Sequence, residues 1–284
     1  MAQANRYLPN AAERIKEILA EVQVATEREL KVRLERDPVS EKRWGIRGYF
    51  PWTVGFALQG LINRGVKKLG YRGRVRLGSG TPSAFYSLNE TQYSHVEKLI
   101  QEKRKLTYYV NALITEGGVA AAHAEELFLD GMSTLNFNCL GRDVSEFRGR
   151  KVASSGSGPP PNIDFVMEKN GITYGVDIKN WIKYERDTVL KVKQKVDVAI
   201  QLNLVPFIIA RYVDDDTMYR EIIKRGGLVY RFWDLLIPSS FYSLAAQARD
   251  LLGYPVTATD VLPDLMGSEI LNLHEKKRME LEPI

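Results

Sequence analysis

Three side chains that can do chemistry together, Asp164, Asp177 and Lys179, flank a turn that the sequence marks clearly. Asn170-Gly171 lies between two alternating apolar runs, and this dipeptide favours a two-residue β-hairpin loop because both residues tolerate positive φ. Such a loop sets a register in which Asp164 lies directly opposite Asp177. Because side chains alternate along a strand, Lys179 shares their face. The opposite, apolar face is predicted to comprise Ile163, Phe165, Met167, Ile172, Tyr174, Val176 and Ile178.

Two opposed carboxylates point to a divalent cation. Like charges directly opposite in a sheet are destabilising at Cβ separations of about 5 Å, and one of the carboxylates would resist ionisation. A bound Mg²⁺ removes the conflict, since it typically takes one or two carboxylates together with water and substrate phosphate. The lysine would then position or activate an attacking water, or stabilise charge on a phosphate. The alternative is a solvated polar face on which Lys179 simply neutralises the pair.

The pattern Asp164…Asp177-Ile178-Lys179 resembles the motif of the PD-(D/E)xK nuclease superfamily. The predicted surroundings are similar as well, because a helix precedes the hairpin and a helix and a strand follow it. The predicted elements are helices at 119–131, 194–203 and near 217–224, and strands at 205–213 and 227–232. The resemblance covers residues 118–233 and extends to archaeal Holliday-junction resolvases and Mrr-type restriction endonucleases.

This resemblance implies an α/β fold with a restriction-endonuclease-like mixed sheet flanked by helices, and the activity of a Mg²⁺-dependent DNA endonuclease. Asp164 and Asp177 would hold Mg²⁺, with the Ile178 carbonyl as a further ligand and Mn²⁺ as an expected substitute. Lys179 would position or help to activate water for attack on a phosphodiester. The chain departs from the family in lacking the usual proline directly before Asp164, and in having Asp177 where glutamate is commoner. Neither departure removes a predicted ligand.

The family also has a glutamate on the helix before the hairpin, and Glu125 and Glu126 are the candidates. The residues three and four positions from Glu125 are alanine, phenylalanine and leucine, so Glu125 borders the apolar face of its helix. The corresponding neighbours of Glu126 include His123 and Asp130, and that face looks wetter. We therefore assign Glu125 to water or a second ion bound at the site. A solvent-exposed pair of glutamates is the alternative.

The first third of the chain predicts a separate domain. Helices are predicted at 11–23, 26–34 and 51–63, and strands at 66–77 and 84–88. The second helix begins with Thr26 and Glu29 at the spacing of a capping box. This order resembles a winged helix-turn-helix domain whose recognition helix is 51–63. A further helix at 90–116, rich in lysine and glutamate, would link this domain to the nuclease domain or serve in dimerisation.

Charge favours DNA as the partner of this domain. The segment from Lys42 to Arg76 contains nine lysines and arginines and no Asp or Glu, although the whole chain carries only +5. A localised basic block is the electrostatic footprint expected for DNA phosphates. The predicted DNA-binding residues are Lys42, Arg43, Arg47, Arg64, Lys67, Lys68, Arg72, Arg74 and Arg76, with Thr53, Gln59 and Asn63 as candidate base readers. A winged helix that contacts other proteins is the alternative.

Composition and length suit two folded domains. The 284 residues are 44% hydrophobic, and the single cysteine, Cys139, excludes an internal disulfide. No apolar run reaches membrane-spanning length and the first residues lack a signal-peptide core, so we expect a cytoplasmic, nucleoid-associated protein without a membrane partner. The predicted organisation is a winged-helix domain at 1–90, a linking helix at 91–117, and a nuclease domain with a helical C-terminal extension at 118–284.

The predicted activity is restriction-type or mobile-element-associated cleavage of double-stranded DNA by a homodimer. Three alternatives stay open: a Holliday-junction resolvase, the nuclease subunit of a transposition-type complex that is active only with partner proteins, and a DNA-binding regulator without catalysis. A regulator would have no use for two mutually repelling carboxylates beside a lysine, and the site therefore argues against that alternative.

Overall fold

The computed structural model describes residues 2–69, 84–114, 118–153, 158–180, 186–211 and 216–281. The chain forms two units, Met1–Ala112 with Ser243–Val256, and Leu113–Tyr242 with Thr257–Ile284. Most of the predicted linking helix thus groups with the first unit, as does a short part of the predicted C-terminal extension. Among the described helices, none has the length and apolar character needed to cross a membrane.

The first unit is helical with a small sheet. Its elements are α1 (Ala2–Val22), β1 (Ala25–Thr26), α2 (Glu27–Glu35), α3 (Pro38–Trp44), α4 (Pro51–Leu61), β2 (Val66–Leu69), β3 (Phe85–Leu88), α5 (Tyr93–Ile114) and α9 (Tyr242–Gln247), which continues as a π-helical segment at Ala248–Leu252. The three strands pair antiparallel in the order β1-β3-β2. The three predicted helices are present, although the first begins at Ala2 and the third ends at Leu61, before Asn63, and the starts of both predicted strands are confirmed. Residues 70–83, between β2 and β3, lie outside the described part of the chain.

Local sequence explains how α2 and α3 begin. The Thr26 side chain accepts a hydrogen bond from the Glu29 backbone N–H at 3.1 Å, so the predicted N-cap of α2 is confirmed. The Glu29 side chain leaves the capping box incomplete and instead pairs with Lys103 of α5. Helix α3 was not predicted, because its seven residues carry no apolar periodicity. Asp37 caps it and Gly45 ends it in the left-handed conformation.

The second unit is built on a five-stranded mixed sheet flanked by helices, as the predicted α/β class requires. Its elements are α6 (Val119–Thr134), β4 (Asn138–Val144), β5 (Glu146–Phe147), β6 (Arg150–Lys151), β7 (Ile163–Lys169), β8 (Ile172–Lys179), α7 (Arg186–Gln201), β9 (Val205–Arg211), α8 (Asp216–Lys224), β10 (Leu228–Phe232), β11 (Leu235–Ile237), β12 (Val256–Ala258) and α10 (Asp264–Leu281). The strand order is β10-β9-β8-β7-β4. Strands β8, β9 and β10 are parallel, and β7 pairs antiparallel with β8 and β4.

Both faces of this sheet are covered. On one face Phe165, Met167 and Tyr174 pack in a core cluster that also takes side chains from α6 and α10. On the other face Val166 packs against α7. Ile163 belongs to this second cluster, so its predicted place on the same face as Phe165 is wrong. The face that carries the aspartates is therefore a second buried surface and not a solvated one.

The region after Asp234 contains strands as well as helices. It was predicted to be helical, and α9 and α10 agree with that prediction. Strands β11 and β12 are each only three residues long, and such short apolar runs cannot be distinguished from helix by periodicity.

A buried histidine makes the stability of the second unit depend on pH. His274 of α10 is fully buried, with Nδ1 at 2.8 Å from the Tyr174 hydroxyl and Nε2 at 3.3 Å from the Asn170 amide nitrogen. Burial lowers the pKa of His274 below its ordinary value of 6.5. Below pH 6.5, His274 is therefore protonated in the unfolded chain but stays neutral in the folded chain until the pH is lower.

We expect this unit to lose stability as the pH falls from 7.5 to 5.5, with a contribution from His274 of up to about 1.4 kcal/mol per pH unit. His274→Gln, which stays neutral, should unfold more easily at pH 7.5 but show a shallower pH dependence. Urea unfolding at both pH values measures this difference, with His95→Gln as the control because His95 is exposed. An unchanged slope in His274→Gln would contradict the assignment.

Candidate functional site

The predicted hairpin is confirmed. Strands β7 and β8 are paired from Lys169↔Ile172 to Phe165↔Val176, and the two loop residues have the expected positive φ, 50° at Asn170 and 78° at Gly171. Continued by one residue, the same register places Asp164 opposite Asp177. The Asp164 carboxylate accepts a hydrogen bond from the Ile178 backbone N–H at 2.7 Å.

The structure brings the two aspartates and the lysine together. Asp177 is fully buried, and Lys179 Nζ lies 2.8 Å from its carboxylate oxygens and 3.8 Å from Asp164 Oδ2. Lys179 also donates to the Ile178 carbonyl at 3.2 Å. The predicted face is thus an ion cluster in which each carboxylate has a cation within 4 Å.

Burial and neighbouring charges shift the pKa values of Asp177 and Lys179. Burial raises the pKa of Asp177, and repulsion from Asp164 adds to the shift. Burial alone would lower the pKa of Lys179, but attraction by Asp177 and Asp164 more than offsets it, and that pKa is raised. Two carboxylates thus face Lys179, and this lysine alone does not neutralise the pair.

A second lysine, Lys195 of α7, completes the cluster. Its Nζ lies 3.2 Å from Asp177 Oδ1, 3.4 Å from Asp164 Oδ1 and 3.3 Å from Asn162 Oδ1. Lys195 was not among the predicted site residues, and the neighbouring Gln194 is exposed. A signal was present, since residues three and four positions from Lys195 are mostly apolar and predict that this lysine faces the sheet.

A glycine in β8 explains why α7 lies so close to the aspartates. A Cβ atom at Gly175 would lie 2.8 Å from the Ala199 Cβ of α7 and 2.9 Å from Ile163 Cδ1, so only glycine fits there. Gly175 is two residues before Asp177 on the same strand face, and Ala199 is one helical turn after Lys195. The close packing of helix on strand therefore places Lys195 above Asp177.

Of the two candidate glutamates, Glu125 has the environment of a site residue. Glu126 is exposed and pairs with Arg142. Glu125 is half-buried, and its pKa is raised first by burial and then by repulsion from Asp164, while attraction by Lys179 opposes the shift. The predicted choice of Glu125 therefore agrees with its position beside the cluster.

Asn180, the residue after Lys179, fixes the end of β8 and was not predicted. Its amide donates to the Ala120 carbonyl at 2.9 Å and to the Leu236 carbonyl at 2.6 Å, and its side-chain oxygen accepts from Leu236 N–H at 3.1 Å. It is 97% buried, so these bonds are shielded from water. This amide ties the first turn of α6 and strand β11 to the strand that carries the site.

The donor atoms suit a hard divalent cation. Asp177 Oδ2 is buried and has only its ionic contact with Lys179, without a hydrogen-bond partner. Two carboxylates and a carbonyl oxygen, as provided by Asp164, Asp177 and Ile178, are oxygen ligands of the kind that Mg²⁺ takes. Within the described part of the chain, no group of three or more His, Cys, Asp or Glu side chains is arranged to hold a metal. Water or substrate would have to supply the remaining ligands.

The predicted basic block is only partly free to meet a polyanion. Arg72, Arg74 and Arg76 lie outside the described residues, and Lys42, Arg64 and Lys68 are exposed. The other three described residues have partners within the first unit: Arg43 pairs with Glu13 and Glu17, Arg47 pairs with Glu41, and Lys67 donates to the Asn89 and Thr91 carbonyls. Two glutamates of α1, which lie outside the basic segment in the sequence, thus neutralise part of the positive charge that the sequence count of this segment suggested.

One candidate base reader is wrong. Thr53 is 2% exposed because it lies on the face of α4 that packs into the first unit, so almost none of its surface is available for a base contact. Gln59 and Asn63 are exposed, as base contacts require.

Comparison of the chain with protein-family models and with curated proteins finds no match.

Proposed function

We propose that this chain is a Mg²⁺-dependent DNA endonuclease, in which the second unit hydrolyses phosphodiester bonds and the first unit binds DNA. The observation that carries the proposal is the meeting of Asp164, Asp177 and Lys179 at the end of the β7–β8 hairpin, with Asp177 fully buried. Burying a carboxylate opposite another is costly, and apolar side chains would stabilise the same position better. The arrangement suits a site that binds a cation together with a phosphate.

The order of elements supports the proposal. In the second unit, α6, β4, the hairpin, α7 and β9 follow the order expected of PD-(D/E)xK nucleases, around a mixed sheet. In the first unit, the order α1, β1, α2, α4, β2 and β3 resembles a winged helix, with α3 as an additional short helix.

The proposed roles of the site residues are compatible with their positions. Asp164, Asp177 and the Ile178 carbonyl would hold Mg²⁺, which when bound makes water more acidic and stabilises charge on phosphate oxygens. Lys179, held as a donor by Asp177, would orient the attacking water and stabilise negative charge on the phosphate. Glu125, at the edge of the cluster, would accept a hydrogen bond from that water. Without a cation, Lys195 balances the two carboxylates.

The reaction is hydrolysis. Water attacks phosphorus in line with the 3′-oxygen, the bond from phosphorus to that oxygen breaks, and the 3′-oxygen takes up a proton. The products are a 5′-phosphate and a 3′-hydroxyl. A homodimer would allow both strands of a duplex to be cut, and sedimentation equilibrium measures that state directly.

Cleavage of supercoiled plasmid and of a synthetic four-way junction, each with Mg²⁺ or EDTA, tests the proposal. We expect cutting only with Mg²⁺, and Lys179→Ala should lower the rate by about 10²- to 10³-fold, the usual loss for one donor to developing charge. Lys193→Ala is the matched control, because Lys193 is an exposed lysine of the unit.

The outcomes separate the alternatives. Preference for the plasmid supports restriction-type cleavage, and preference for the junction supports a resolvase. Salt-sensitive DNA binding without cutting would contradict an enzyme active alone. In that case, restoration of cutting by a partner protein would identify a transposition-type subunit, and failure to restore it would leave a regulator.

A further inference from the structure

Helix α4 exposes aromatic side chains where a recognition helix would expose polar ones. Trp52 and Phe56 lie one turn apart on the outer face of the helix, with 41% and 65% of their surface exposed. Gln59 continues the same face and is exposed. The opposite face, which includes Val54 and Leu58, is fully buried in the core of the first unit. The outward direction of Trp52 and Phe56 is therefore fixed by the packing of the helix.

A third ring extends this surface. Phe50, at the N-cap of α4, is 40% exposed and stacks on Trp52 with ring centroids 4.6 Å apart and planes 5° apart. We call Phe50, Trp52 and Phe56 the aromatic face. Two parallel rings already held in a stack offer a flat apolar surface of the kind on which a nucleobase stacks.

A preformed cleft adjoins the aromatic face. It has a volume of about 250 Å³ and is lined by Phe50 and by Tyr7, Gly45, Ile46, Arg47, Gly48, Tyr49 and Thr53. Its loop is pinned to α2, since Tyr49 N–H donates to the Leu34 carbonyl at 2.8 Å and a Cβ at Gly48 would lie 2.0 Å from the Glu35 carbonyl oxygen. The cleft therefore needs little ordering on binding.

The charge around this face selects the partner. Residues 42–69 include the aromatic face and six lysines and arginines. Of these, Lys42, Arg64 and Lys68 are exposed, whereas Arg43 and Arg47 pair with glutamates of α1 and α3. Arg47, at the mouth of the cleft, has a largely exposed side chain. A polyanion with flat aromatic groups matches both the stacked rings and the exposed cations of this segment.

We infer that the aromatic face binds unpaired nucleotides of DNA, with bases stacked on Phe50, Trp52 and Phe56 and phosphates near the surrounding lysines and arginines. Bases within an intact duplex do not present their faces, so the preferred DNA has a single-stranded stretch, a flap or an open branch. This inference deepens the DNA-binding half of the proposed function. Its test measures DNA binding in EDTA, where no cleavage takes place. A chain that does not cleave DNA can therefore be distinguished from one whose aromatic face does not bind unpaired nucleotides.

Fluorescence anisotropy in EDTA, with a labelled 20-nucleotide single strand and the matching 20-base-pair duplex, tests it. We expect Phe56→Leu and Trp52→Leu each to weaken single-strand binding by about 10- to 100-fold, the usual effect of losing one base–aromatic stack. Duplex binding should change by less than about threefold, and the salt dependence should stay the same because no phosphate contact is removed. Phe56→Tyr keeps the ring and should bind as the wild type does.

Tyr108→Leu is the matched control, because Tyr108 belongs to the same unit and is 49% exposed. Circular dichroism at rising temperature shows whether each variant is folded, and Phe56 is exposed enough to be replaced safely. Wild-type single-strand binding by Phe56→Leu and Trp52→Leu would overturn the inference, as would an equal loss on the duplex. If the leucine variants instead abolish self-association in sedimentation and leave DNA binding unchanged, the aromatic face is a protein interface and the inference is wrong.

Discussion

Asp177→Asn is expected to lower the rate of Mg²⁺-dependent cleavage by about 10³-fold or more and to leave the protein folded. A metal ion supplies several kcal/mol of transition-state stabilisation, and each 1.4 kcal/mol is a factor of about ten in rate. Asparagine keeps the shape of the side chain but removes the buried charge that opposes Asp164. The substitution is therefore expected to change the proposed cleavage far more than the stability of the fold.

The measurement is plasmid cleavage together with thermal unfolding in EDTA. The unfolding temperature of Asp177→Asn should stay close to that of the wild type, since the repulsion from Asp164 is lost together with one partner of Lys179 and Lys195, and Asp164 remains to pair with both lysines. Asp197→Asn is the control, because this aspartate of α7 is half-exposed and pairs only at the surface with Arg225. Cleavage by Asp177→Asn at the wild-type rate would rule out the proposed metal ligand.

Lys103→Met is expected to destabilise the first unit by about 3–5 kcal/mol, the usual cost of leaving one partner of a buried ion pair behind. Lys103 Nζ lies 2.6 Å from Glu29 Oε1 and 2.7 Å from the Val24 carbonyl, and both charged side chains are buried. Burial raises the pKa of Glu29 and lowers the pKa of Lys103, so each charge is tolerated chiefly because of the other. After the substitution only Arg33, at 3.3 Å, would face Glu29.

Urea unfolding of Lys103→Met, Glu29→Leu and the double variant measures this coupling. The double variant should lie close to the wild type, because apolar side chains of similar volume can replace a buried pair without loss. Lys98→Met, at an exposed lysine of the same helix, should change the free energy of unfolding by less than about 0.5 kcal/mol. Additive losses in the double variant would show that the two charges do not depend on each other.

The part of the site that the sequence predicts is the part set by local rules. Asn170-Gly171 determines the loop, the loop determines the register, and alternation places Asp164, Asp177 and Lys179 on one face. The choice of Glu125 over Glu126 rests on helical spacing, which is equally local. These residues all lie where the pattern puts them.

The residues that sequence reasoning missed depend on packing between distant segments. Lys195 reaches the aspartates because Gly175 lets α7 pack close to β8. Asn180 forms hydrogen bonds with α6, which precedes it in the chain, and with β11, which follows it. The neutralisation of Arg43 by Glu13 and Glu17 likewise needs α1 to lie beside α3. The spacing of residues along the sequence does not reveal such contacts.

The bonds of Asn180 also set the order in which the protein can be assembled during synthesis. Its acceptors, the carbonyls of Ala120 and Leu236, lie 60 residues before it and 56 residues after it in the chain. Loops of this length close late in folding, since their entropy must be lost before the contact forms. On the ribosome, strand β8 emerges well before Leu236, so the two aspartates emerge before one of the two carbonyls that hold the end of β8. The site would therefore gain its rigid form only after β11 has been translated.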